Sequence, residues 1–108
     1  MLSQFRSYQL ALEFYKLVNR LRIPSHLKNQ LLRASSGIAL CLAEGYGRAS
    51  FSDKTRFYQM ALGSLRESQA VLALADVTDP ATCDMADHLG ACLFKLTRPS
   101  LRTVNRSR

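Results

Sequence analysis

Apolar residues recur at spacings of three and four through four stretches of the chain, and helix-stopping or helix-capping residues bound each stretch. In the first, Leu10, Phe14, Leu17, Val18 and Leu21 share one stripe while Glu13, Lys16 and Arg20 face away. Ile23-Pro24-Ser25 interrupts it, because proline disfavours helix in the residue before it, and Ser25 is expected to cap the second helix. The second stripe is Leu27, Leu31, Ala34 or Ser35, Ile38 and Leu42. Its middle, Ser35, Ser36, Gly37 and Ala39, is small enough to let a neighbouring helix approach closely. Gly45-Tyr46-Gly47 is expected to end this helix with a left-handed glycine.

Ser50-Phe51-Ser52-Asp53 opens the third stretch as a reciprocal cap, Ser50 taking the Asp53 amide and Asp53 reaching back. Tyr58, Ala61 or Leu62, Leu65, Leu72 and Ala75 form its stripe. Phe57, Met60, Val71 and Leu74 lie off that line, which leaves more apolar circumference than one small bundle covers and points to self-association. Asp79-Pro80 starts the fourth stretch, with Met85 or Ala86, Leu89, Leu93 and Leu96 inward and Pro99 as its stop. The pattern predicts an all-α fold, an antiparallel up-down four-helix bundle with helices over about 3–22, 26–45, 51–76 and 80–98. Residues 1–98 are the bundle domain, and 99–108 are a basic tail expected to be disordered.

The 108 residues fit one domain, and 47% apolar content provides one core. No apolar run is long enough for a membrane span, and the first residues lack the pattern of a secretory leader. Three cysteines, Cys41, Cys83 and Cys92, are read as reduced, buried small side chains, consistent with a cytoplasmic protein.

Charge adds the first functional hint. Residues 1–66 hold ten basic and three acidic residues, whereas 67–97 hold only Lys95 against Glu67, Asp76, Asp79, Asp84 and Asp87. A net charge of +7 with this asymmetry produces a directional field that attracts polyanions, although it also simply keeps a small protein soluble. Arg48, Lys54 and Arg56 cluster around the junction of the second and third helices, and with Arg33 they form a candidate nucleic-acid-binding set. Glu44 is read instead as the partner of Arg48 or Arg56.

Catalytic constellations are missing. Neither Glu44 nor Glu67 has a histidine three residues on, so a bundle di-iron site is not formed. Nothing pairs His26 or His88 with a nucleophile. The two glycines of Glu44-Gly45-Tyr46-Gly47-Arg48 sit at a helix C-terminus, the wrong end for holding phosphate. The reading is a non-enzymatic protein with no cofactor and no metal.

Two linked runs, Ala43-Glu44-Gly45-Tyr46-Gly47-Arg48 and Phe57-Tyr58-Gln59-Met60-Ala61-Leu62-Gly63-Ser64-Leu65-Arg66-Glu67, resemble the four-helix-bundle proteins named for open reading frames in 23S ribosomal RNA intervening sequences. The similarity extends over nearly the whole chain. It departs at Ala39 and Cys41, where the family usually carries a proline and an asparagine, and it weakens after Ala75. The resemblance implies an antiparallel bundle assembled into a ring-like homopentamer. It also implies a distant relation to retroelement accessory proteins that bind nucleic acid and a reverse transcriptase. Two functions are therefore expected to compete: an RNA- or DNA-associated oligomer, and a protein-interaction scaffold whose partner docks on an apolar surface or on an acidic one formed by Asp76, Asp79, Asp84 and Asp87.

Overall fold

A computed structural model describes residues 1–98, so the basic tail over 99–108 lies outside the described residues. After a 3₁₀ turn at Leu2–Gln4, the chain forms α1 (Arg6–Asn19), α2 (Ser25–Tyr46), α3 (Phe51–Leu74) and α4 (Pro80–Leu96). The connections over 20–24, 47–50 and 75–79 are short, and α1 packs on α2 and α4 while α3 packs on the same two helices. That is the closed, antiparallel order of a four-helix bundle.

The inward stripes follow the three-four spacing. Leu10, Ala11, Phe14 and Val18 of α1 meet Leu31, Ile38 and Leu42 of α2, Ala61 and Leu65 of α3, and Leu89 and Leu93 of α4 in one core. Val71, set off the α3 stripe by spacing alone, is buried at 1% exposure, because the end of the helix turns inward beside Leu72. The α2–α3 pair is the most extensively packed. The reason is local: a Cβ at Gly37 would lie 3.3 Å from Ser64 Oγ, so the small middle of α2 is where α3 comes close.

Helix ends differ from the expected bounds, and each difference has an identifiable cause. α1 stops at Asn19 rather than 22 because the Lys28 ammonium reaches back from α2 and donates to the Asn19 carbonyl at 3.1 Å and to the Leu21 carbonyl. Ser25 does not cap α2. It lies inside the first turn, Pro24 occupies the cap position, and no side chain bonds the orphan amides. Neither Gly45 nor Gly47 is left-handed. α2 runs on through Gly45 to Tyr46, and Lys54 donates to the Tyr46 carbonyl at 2.8 Å and the Gly45 carbonyl at 3.4 Å. The same device thus ends two helices, a lysine from the next helix satisfying the last carbonyls and the negative end of the dipole.

At α3 the Ser50 half of the predicted cap forms, Ser50 Oγ accepting from the Asp53 amide at 3.1 Å. Asp53 turns to arginines instead of reaching back. The helix ends at Leu74, short of 76, because Asp76 adopts the left-handed conformation with φ 61°. There Val77 N–H bonds the Leu72 carbonyl and Asp76 N–H bonds that of Ala73, which closes the terminus and folds Val77 onto Leu72.

Asp79 caps α4, accepting from the Thr82 hydroxyl at 2.6 Å and from its amide at 3.0 Å. Those two bonds, the hydroxyl's first, hold the Asp79 carboxyl below its ordinary value. A lowered folded pKa adds stability above the unfolded value and loses it as pH falls through the folded one. Asp79→Asn, which keeps an acceptor without a charge, is therefore expected to lose less of its melting temperature than the wild type below about pH 4. Thermal melts followed by circular dichroism from neutral pH downward check this.

Candidate nucleic-acid interface

Of the four cations singled out in the sequence, the fold brings three together. Arg48, Lys54 and Arg56 surround the α2–α3 turn, while Arg33 lies on α2 about 20 Å up the helix from Tyr46. All three turn cations have partners within the chain. Arg48 pairs with Glu44, one of the two pairings expected, and lies 3.9 Å from Asp53. Arg56 pairs with Asp53 at 3.2 Å. Both guanidinium groups lie over the Phe57 ring, 4.7 and 4.5 Å from its centroid. Arg48 Nε is buried there with no hydrogen-bond partner among the described residues, a deficit that stacking on Phe57 offsets in part. Lys54 closes the end of α2. The turn cations first hold the turn together. Their outer donors still face solvent, since the Arg56 side chain is 58% exposed.

The aromatic residues complete the turn. Phe5 stacks on Tyr46 with ring centroids 5.3 Å apart and tilts against Tyr58 at 5.8 Å, and the amino terminus of Met1 donates to the Tyr46 hydroxyl at 2.8 Å. The start of the chain is thereby pinned to the α2–α3 junction. Gly45 is what admits these rings: a Cβ there would sit 2.8 Å from Tyr58 Cε1 and 2.9 Å from Phe57 Cβ. In the Ala43–Arg48 run, Gly45, Tyr46 and Arg48 each serve packing.

Two surfaces escaped the sequence reading. Between α1 and α2 an apolar groove of about 200 Å³ is lined by Tyr8, Leu12, Tyr15, Ala39, Leu40 and Ala43. Leu40 is 68% exposed on its rim. Leu12 and Leu40 fall outside the core stripes, which is the signal that was available. Between α3 and α4 lies a larger groove, about 400 Å³, with Arg66, Phe94 and Lys95 in its wall. Lys95 is the one cation of an otherwise acidic segment, and Phe94 lies off the α4 stripe. On α3 itself, Met60 and Leu74 remain exposed, as the surplus apolar circumference suggested.

Cys41, Cys83 and Cys92 are free but only half-buried, not fully buried as expected, because each sits at the flank of its helix. Burial, and then the charge of Glu44, push the Cys41 thiol above its ordinary value, which disfavours the reactive thiolate. No group of three or more His, Cys, Asp or Glu residues placed to hold a metal occurs among the described residues. No helix among them is long and apolar enough to cross a membrane.

No curated protein and no solved structure matches this chain. A family sequence model does, over residues 4–98, which spans all four helices and both runs that carried the resemblance. The described bundle and the matched length agree: the chain belongs to the family of 23S rRNA-intervening sequence proteins.

Proposed function

We propose that this protein is a non-enzymatic, cytoplasmic homo-oligomer, a pentamer, that binds nucleic acid through its basic surface. One observation carries the reading. Among the described residues only Lys16, Arg48 and Arg56 pair with carboxylates, which leaves most of the positive charge, Arg20, Arg22 and Arg33 included, uncompensated. Phosphates that meet uncompensated arginines and lysines on a rigid bundle shed their condensed counterions, and that release favours binding. Arg33 and the outward donors of Arg48, Lys54 and Arg56 supply contacts of this kind. Membership of a family described by a ribosomal RNA insertion supports an RNA-related role. Self-association is supported by the apolar α1–α2 groove and by Met60 and Leu74 on α3, two surfaces that a lone bundle leaves in water. Copies joined through them multiply the field.

Light scattering after gel filtration is expected to return a mass near five times the 12.1 kDa of one chain. Fluorescence anisotropy with a labelled RNA is expected to show binding that weakens steeply with salt and depends little on sequence. Absence of binding to RNA and DNA at low salt, with one protein recovered in pull-downs after nuclease treatment, favours the alternative of a protein-interaction scaffold whose acidic docking patch is the exposed Asp76, Asp79, Asp84 and Asp87.

A further inference from the structure

The groove between α3 and α4 differs from the turn cluster in one respect that matters for ligands. Its cations have no carboxylate partner among the described residues. Arg66 donates to the neutral Gln69 side chain, at 2.9 Å, and Lys95 is exposed. Arg98 stands over the Phe94 ring, 4.0 Å from its centroid, and Phe94 is 41% exposed. The floor is Gly90 and Ala91, so nothing bulky fills the space. Gly90 has a packing reason to be small, since a Cβ there would lie 3.3 Å from Leu65 Cδ2, and the open floor follows from it.

An open groove of about 400 Å³ with Arg66 and Lys95 in its lining, the partly exposed Phe94 ring in its wall and Arg98 over that ring provides what a nucleotide unit of a polyanion requires. Arg66, Lys95 and Arg98 are the cations that a phosphate there would meet. A base would lie against the part of the Phe94 ring that Arg98 leaves open, above the small floor. Gln69, which accepts from Arg66 and donates to Asp87 at 3.5 Å, lines the same groove, and with the Asp87 carboxylate it suits the polar edge of a base. Asp87 and Lys95 lie about two turns apart on α4, so a phosphate is repelled by the first and drawn toward the second. A base inside a duplex is already stacked on both faces and cannot reach the ring, so the groove selects unpaired strands.

We infer that the α3–α4 groove is a binding site for single-stranded RNA, with Phe94 as stacking platform and Arg66, Lys95 and Arg98 as phosphate contacts. The inference rests on the nucleic-acid function proposed for the chain and adds to it a place and a strand preference. Phe94→Leu keeps apolar volume and removes the ring. Ala91→Glu, at an exposed position of α4, blocks the floor without entering the core. Each is expected to weaken binding of a fluorescein-labelled single-stranded RNA about tenfold while leaving affinity for a hairpin duplex unchanged. Lys95→Gln is expected to lower the single-strand salt slope by about 0.7. Circular dichroism melts of each variant confirm folding, and either of the first two variants suffices if the other fails to fold. Wild-type binding that both tolerate, or an equal loss on the duplex, overturns the groove while the nucleic-acid function stands. Wild-type protein that binds duplex DNA but no RNA overturns the groove as an RNA site, and protein that binds neither RNA nor DNA overturns both.

Discussion

Replacing Phe14 with alanine is expected to lower the stability of the fold by about 3–5 kcal/mol. Phe14 has no exposed surface, and among the described residues it is the one aromatic side chain buried to that degree. It sits on α1, the helix that closes the bundle by packing against both α2 and α4. Truncation removes the transfer energy of the ring and leaves a void, and the helices cannot close over it without breaking the α1–α2 and α1–α4 contacts together. Native domains have about 5–15 kcal/mol in total, so the variant is expected to be marginal or unfolded at physiological temperature. Urea unfolding followed by helical circular dichroism, at one fixed protein concentration, measures the loss. Leu74→Ala is the comparison. At 71% exposure it is expected to change stability within about 0.5 kcal/mol in a lone bundle. A loss there comparable with Phe14 would mean that a second copy covers Leu74.

The interiors of the four helices were legible because their inward residues repeat at three and four, and burial follows that repeat at Leu10, Phe14, Val18, Leu31, Ile38, Leu42, Leu65, Leu89 and Leu93. The ends were not. Lys28 and Lys54 terminate α1 and α2 from the following helix, and no local pattern announces that a lysine seven to nine residues onward will fold back on a carbonyl. Asp76 was equally hidden, since an aspartate in the left-handed region is known only once Val77 is seen to pack on Leu72.

The candidate site divides in the same way. Cations and aromatics can be counted from the sequence, but whether a guanidinium faces solvent or a ring depends on the turn geometry. Arg48 and Arg56 converge on Phe57 because Gly45 lets α3 start close against α2. Arg66 and Phe94 belong to different helices, and only the α3–α4 packing places them in one wall. Charge patterning pointed to the basic first two-thirds of the chain and away from α4, where Lys95 is outnumbered by aspartates in sequence yet faces the groove beside Arg66.

Substituting alanine for Gly45 separates helix propensity from packing. Position 45 is inside α2 with ordinary negative φ, so on propensity alone alanine should stabilise by about 1 kcal/mol. The contacts oppose this. A Cβ would lie 2.8 Å from Tyr58 Cε1 and 2.9 Å from Phe57 Cβ, and neither atom is the free end of a flexible chain. Tyr58 is 5% exposed and packs against Phe5, while two guanidinium groups hold Phe57. α3 must therefore shift as a unit, and overpacking of this kind costs about 1–3 kcal/mol. Gly45→Ala is expected to lower the urea midpoint accordingly, with a loosened amino terminus read as faster amide exchange over residues 2–5. Gly63 supplies the opposite sign within the same fold. Nothing lies within 4 Å of a Cβ placed there, so Gly63→Ala is expected to raise stability by up to about 1 kcal/mol. If both glycines responded alike, the α2–α3 turn would not be limited by ring contact, and Gly45 would need a reason other than the approach of Tyr58 and Phe57.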